Sequence, residues 1–240
     1  MNPWSVVDEF ERVVAEYGGG PYGVAVDSCT NSLFLCGVYC RVDKVELPTH
    51  TYVGVAQSII NSGGSCNFLP YKWQGCYRLT PYPIYDSARR FRRDMVKEIE
   101  SSTEIANNYF EMYDKEHTRY SVLSDKYYYC LSFHIWKHLN IGRGGMVLTN
   151  DHDFVEWAKK ARFDGRTPGI PPKEDTFIRG YHMMLEPEFA LRGLRIMEHI
   201  KDNYPDIPND DYADLSKQEI FKQIDVYDWR MKDGNNNPGY

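Results

Sequence analysis

Two periodicities alternate through the first seventy residues, and that alternation limits the fold more than any other feature of the chain. Residues 4 to 17 place Val6, Val7, Phe10, Val13 and Val14 on one helical face and stop at Gly18-Gly19-Gly20. A strand from Tyr22 to Val26, a helix from Asn31 to Tyr39 and a strand from Val42 to Leu47 are expected next. They are followed by a helix from Tyr52 to Asn61 and a strand from Ser65 to Leu69. Strands joined through helices by such short links are expected to run parallel with right-handed crossovers. The pattern predicts an α/β layer architecture rather than a bundle or a sandwich.

Farther along, Trp73 to Leu79 suggests a hairpin and Tyr82 to Tyr85 a short strand ending at Asp86. Residues 95 to 124, charged and tyrosine-bearing with weak helical period, suggest a partly helical surface insertion. Strands from Tyr127 to Phe133 and from Gly145 to Thr149 flank a turn. Asp151 suits the N-cap of an amphipathic helix ending near Arg162, with Phe154, Trp157 and Ala158 on one face. A Gly- and Pro-rich loop over 165 to 173 precedes a helix from about Glu186 to Ile200. The last forty residues are polar and look loosely structured. One large domain over 1–200 is expected, with 201–240 as an extended tail, since 240 residues bury one sizeable core.

No apolar run approaches the ~20 residues of a membrane span. The start, Met1-Asn2-Pro3-Trp4 leading to Asp8, Glu9, Glu11 and Arg12, lacks the basic head and apolar stretch of a signal peptide, so a soluble cytoplasmic protein is expected. A net charge of −6 gives no general attraction to nucleic acid, and Arg89-Arg90-Phe91-Arg92-Arg93 is too short a basic run to change that. The six cysteines contain no Cys-x-x-Cys pair and no metal-like histidine spacing; they are expected to be small buried thiols, with no metal bound.

Chemistry is most concentrated at Ser132-Phe133-His134-Ile135-Trp136-Lys137, followed by Gly142-Arg143-Gly144-Gly145 and the apolar Met146-Val147-Leu148. A lysine is thereby presented in a glycine-punctuated turn between strands, where glycines permit close backbone approach. Ser-Phe-x-x-x-Lys followed by Gly-x-Gly-Gly resembles the cofactor-lysine signature of the DegT/DnrJ/StrS aminotransferases, pyridoxal-phosphate (PLP) enzymes of aspartate-aminotransferase fold. The resemblance runs colinearly from about Phe10 to Met197. It implies a three-layer α/β/α large domain with a mainly parallel, mixed sheet. Typical members continue into a small C-terminal domain that this chain largely lacks, which leaves the site open or completed by a partner chain.

By the same resemblance Lys137 forms the Schiff base with PLP and afterwards moves the donor's α-proton. Asp86, in Asp86-Ser87-Ala88-Arg89, would pair with the ring nitrogen, while Ala88 packs one ring face and Tyr52 stacks on the other. Arg89 stands where the family commonly has a His or Gln that contacts the cofactor, and by the resemblance it would contact the cofactor too; it can donate hydrogen bonds but cannot shuttle protons at neutral pH. Thr30 and the Cys29 backbone, in Ser28-Cys29-Thr30, would hold the phosphate at a helix N-terminus, joined by Ser132, with Cys29 replacing the usual glycine. His182, in Gly180-Tyr181-His182-Met183-Met184, takes the place of an asparagine that reaches the neighbouring subunit's phosphate. That implies a homodimer with a shared active site. The activity implied is transfer of an amino group, with glutamate as donor, to a keto sugar that is most often nucleotide-linked. Retention of lysine at 137 argues against the related sugar dehydratases. PLP chemistry with another outcome, and a non-catalytic scaffold of the same fold, stay open as alternatives. Short viral versions of the family are similar to this chain, which would place it in a host cytoplasm.

Overall fold

The computed structural model describes residues 4–101 and 125–222. The first half runs α1 (Ser5–Gly18), β1 (Tyr22–Val26), α2 (Cys29–Cys40), β2 (Lys44–Pro48), α3 (Val53–Asn61) and β3 (Ser65–Leu69), close to the expected alternation. Then come β4 (Tyr77–Arg78), β5 (Ile84–Asp86), α4 (Met95–Ser101), β6 (Tyr128–Ser132) and β7 (Gly145–Thr149). After α5 (His152–Ala161) and α6 (Pro187–Met197) there is a 3-10 turn at Leu215–Lys217 and a short α7 (Glu219–Lys222). Helix ends follow local chemistry. Gly19 closes α1 at φ 82°, a left-handed conformation that costs glycine little. The Asp151 carboxylate caps α5 by accepting from the Asp153 and Phe154 N–H groups.

One sheet has the order β1-β7-β6-β5-β4, and β2 pairs with β3 in parallel beside it. The Glu46 N–H donates to the Thr80 carbonyl at 2.8 Å and joins the two into one surface. Since β1 and β6 both oppose β7, and β5 runs with β6, five strands share a direction while β4 and β7 run against them. Successive residues face different layers. Val24, Tyr128, Cys130 and Val147 pack with α2 and α3. Ala25, Tyr129, Leu131, Met146 and Leu148 pack with Val7, Phe10 and Val14 of α1 and Ala190 of α6. The result is a sheet covered on both faces, which explains why its central strands read as nearly continuous apolar runs.

Two expectations need correcting. β1 runs in the direction of β2, as expected, but its neighbour is β7, with Tyr22 opposite Thr149 and Val26 opposite Gly145. Val24-Ala25-Val26 is buried on both faces and Met146-Val147-Leu148 matches it, whereas Lys44 of β2 is exposed and Glu46 half-buried. The hairpin expected at 73–79 falls instead at 77–86, because the prolines at 81 and 83 set the turn and the Leu79 N–H donates to the Ile84 carbonyl. The segment expected to begin a surface insertion starts with Met95 and Val96 fully buried; residues 102–124 of it lie outside the described residues.

Beyond α6 the chain crosses the molecule as a strap held by side chains. Asp202 pairs with Arg93, Asp206 with Arg90, and Asn209 Nδ2 donates to the Trp73 carbonyl. The Leu215 N–H reaches the Thr49 carbonyl at 2.8 Å, and Leu215 and Phe221 are buried in the core. Residues 201–222 are therefore ordered by packing where composition suggested looseness; the last eighteen lie outside the described residues. Among the described residues no helix is long and apolar enough to cross a membrane.

Candidate active site

The turn after β6 is fixed by its backbone. The Phe133 N–H donates to the Gly144 carbonyl at 2.9 Å, and the Lys137 N–H returns to the His134 carbonyl at 2.9 Å. Gly142 at φ 100° and Gly144 at φ 144° take conformations that side chains disfavour. Gly145 has a different reason to be glycine. A Cβ there would stand 2.5 Å from the Cys29 nitrogen and closer still to the Ser28 carbonyl carbon, so β7 presses directly on the turn before α2. Gly145→Ala is expected to cost about 1–3 kcal/mol, because backbone must shift to admit the methyl group. A lowered urea midpoint at unchanged m-value would register it.

That turn ends in a built N-terminus. Ser28 Oγ accepts from the Asn31 N–H at 3.2 Å, and the Asp27 carboxylate is held by Asn31 Nδ2 and Arg143 Nη2, each at 2.6 Å. Thr30 and Tyr52 converge on Gly54, where an added Cβ would lie 2.9 Å from Thr30 Oγ1 and 2.6 Å from the Tyr52 ring. Tyr52 is 53% exposed, so it is no core aromatic. Ser132 stands opposite Gly145 in the sheet register, one strand from Cys29.

The charges of Lys137 and Asp86 act on each other and on Cys29 beside that N-terminus. Asp86, at the end of β5, is 3% exposed, and its Oδ1 accepts from the Ala88 N–H at 3.0 Å. Burial raises its pKa, while the Ala88 N–H, the Tyr77 hydroxyl, Lys137 and Arg89 all favour the carboxylate. Burial and the Arg89 charge lower the pKa of Lys137, against Asp86, Cys29 and Asp211. The Cys29 thiol is pushed well up by burial and by Asp86, which makes it a poor nucleophile. Cys29, Asp86, Arg89 and Lys137, drawn from three separate segments, thus lie within one electrostatic neighbourhood.

Three residues that the sequence reading did not single out also belong here. Tyr77 bridges Asp86 and Thr51, its hydroxyl 2.6 Å from Thr51 Oγ1. Asp211 and Tyr212 arrive on the strap: Tyr212 lies 6.4 Å from Tyr52 between ring centroids and nearly parallel to Trp73. The one sequence signal for them was an aromatic inside a polar, Asp- and Pro-rich run. Two residues of the molecule's own strap thus stand beside a site expected to be open or finished by another chain. His182 is not among this set. It is exposed, 3.2 Å from Asp164, and lines a separate cavity of about 200 Å³ with Asp27 and Arg143.

The fold has solved counterparts. One is the Spr1654 protein of Streptococcus pneumoniae, described as a sugar aminotransferase, at TM-score 0.60 and 15% identity over 81% of this chain and 58% of that one. The sugar aminotransferase CalS13 of Micromonospora echinospora gives 0.59 and 17%, over 81% and 61%. NtdA of Bacillus subtilis, with bound PMP, gives 0.59 and 16%, over 81% and 48%. The chain therefore spans less than two thirds of the length of these proteins. No curated protein matches its sequence. The sequence profile of the DegT/DnrJ/EryC1/StrS aminotransferase family matches residues 4–75 and 125–205, which include Thr30, Tyr52, Ser132 and Lys137. By that match the chain belongs to the DegT/DnrJ/EryC1/StrS aminotransferase family.

Proposed function

We propose that this chain is a PLP-dependent aminotransferase that moves an amino group from an amino acid, glutamate by the resemblance, to the keto group of a nucleotide-linked sugar. The observation that carries the reading is the meeting of a half-buried lysine, its pKa lowered, with a buried carboxylate and a helix N-terminus. The residues present fit the cofactor. Gly145 lets β7 close on the turn before α2 and Gly54 admits the Tyr52 ring beside Thr30; the α2 N–H groups and Thr30 offer donors to a dianion, and Asp86 offers an anion to a protonated ring nitrogen.

When bound, PLP supplies an electron-accepting ring that stabilises negative charge on the donor's α-carbon. The chain's residues do the rest. The Lys137 amine takes and returns the α-proton, and its depressed pKa raises the fraction that is unprotonated near neutrality. Asp86, fastened by Ala88 and Tyr77, keeps a carboxylate fixed opposite the cation it must hold. Tyr52 offers a ring face, with Ala88 assigned the other. Ser132 is assigned to the phosphate with Thr30 and the Cys29 backbone. His182, exposed and apart from the set, suits a role toward the neighbouring subunit of a homodimer.

The test is uptake of the cofactor. Purified protein with added PLP is expected to show a visible absorption band, and borohydride reduction to add the pyridoxyl mass to the peptide carrying Lys137. A chain that stays colourless and unlabelled overturns the reading and favours a non-catalytic scaffold. Sedimentation at micromolar concentration checks the dimer.

A further inference from the structure

Adjacent arginines at the end of β5 hold their carboxylates in opposite ways. Arg90 Nε and Nη2 grip both oxygens of Asp206 at 2.9 and 2.6 Å, and the Asp206 side chain is only 6% exposed; that pair is sealed. Arg89 is equally buried, its side chain 10% exposed, yet its partner Asp211 is 69% exposed. The rest of Arg89 is mounted rigidly. Nε donates to the Tyr212 hydroxyl at 2.7 Å, Nη1 to the Pro208 carbonyl, and the guanidinium lies 4.3 Å from the centre of the Tyr212 ring. Its own carbonyl accepts from the Ile207 N–H at 2.9 Å. Nη2 faces the exposed Asp211 carboxylate at 2.7 Å.

We propose that Arg89 is the seat for a substrate carboxylate, and that Asp211 occupies this seat as a displaceable stand-in. A buried guanidinium stays charged and requires an anion, and its planar fork suits a carboxylate. An ion pair with one partner largely in water is weak, so an incoming carboxylate exchanges for Asp211 at little cost, whereas Asp206 could not leave Arg90 so easily. The seat also lies where it is useful: the charges of Arg89 and Asp211 both reach Lys137. The inference rests on the reading of Lys137 as the reacting amine. It gives Arg89 a task other than the cofactor contact expected from the sequence: orienting an acidic substrate against that amine.

The probe is glutarate, a dicarboxylate with no amine to react, titrated calorimetrically into the full chain with and without PLP. Asp211→Asn, which frees the seat, is expected to tighten glutarate binding about three- to fivefold, the worth of one exposed ion pair. Arg89→Gln is expected to weaken it by more than about tenfold, and Arg89→Lys to restore part of the loss. Asp202→Asn, the same charge change on another part of the strap, should leave the affinity as it was. Unchanged or weaker binding in Asp211→Asn overturns the proposal. So does equal tightening in Asp202→Asn, which would be a net-charge effect, or a gain seen with inorganic phosphate and not with glutarate. Should Arg89→Gln fail to fold, the aspartate variants decide alone. Cofactor uptake at Lys137 with no response of glutarate to Asp211 sinks this proposal only; a failure of uptake sinks the parent reading and leaves the glutarate titration of the unloaded chain interpretable.

Discussion

If Lys137 acts as proposed, its replacement with alanine is expected to slow amino transfer by at least about four orders of magnitude, since the proposed base and point of covalent attachment vanish together. The thermal midpoint should stay close to that of the parent. The turn is held by main-chain bonds from Lys137 N–H to His134 and from Phe133 N–H to Gly144, and these do not involve the lysine side chain. Single-turnover absorbance with glutamate measures the loss. The pH dependence carries a sign as well. The working form is the free amine, so the rate rises with pH through the lysine's pKa, and burial with the Arg89 charge moves that rise below the usual lysine range. Arg89→Gln removes a lowering charge and should move the acid limb to higher pH; Asp211→Asn removes a raising one and should move it to lower pH.

Glu11→Ala is expected to destabilise the fold by about 3–5 kcal/mol, the usual cost of leaving one member of a buried ion pair alone. Glu11 is 2% exposed on α1; its Oε1 accepts from the Ala25 N–H at 2.9 Å and from Arg162 Nη1. Arg162, at the end of α5, also donates to the Ala25 carbonyl. One pair thus ties two helices to both backbone groups of an edge-strand residue. Replacing both partners with apolar residues of similar volume, Glu11→Leu with Arg162→Met, should recover much of the loss. A two-state urea titration of the two variants separates the outcomes, and equal loss in both would mean that the strand contacts, not the orphaned charge, set the cost.

The first seventy residues were legible because each element there carries its own signal: a helical stripe, a short β-rich run, a glycine stop. Asp151 could be assigned as a cap for the same reason. What was not legible depended on partners distant in the chain. Nothing in Tyr22 to Val26 says that its neighbour is β7 and not β2, because a run apolar on both faces needs cover on both faces but names no neighbour, and here it takes an edge position. The residues of the site divide in the same way. Lys137, Asp86 and Thr30 stand in motifs whose local chemistry can be read, and the structure brings them, with Cys29, into one region. Asp211 and Tyr212 stand in a polar run ordered by residues elsewhere, among them Arg89, Arg90, Trp73 and Thr49, and composition treats such a run as loose. Tyr77 gave no signal, since a buried tyrosine in a short strand is ordinary until its hydroxyl is seen beside a carboxylate.

The neighbour relation between β1 and β7 has a consequence for how the molecule comes into being. The helix N-terminus is synthesised early and the strand that presses on it late; Asp27 and Arg143, which join across the seam, are 116 residues apart. A nascent chain can form α2 long before anything exists to back its first turn, so its apolar surface must wait, partly uncovered, for Met146-Val147-Leu148 to emerge. Folding should be slow for a chain of this size, with rate limited by closure of that long loop, and most prone to aggregation during the interval before it closes.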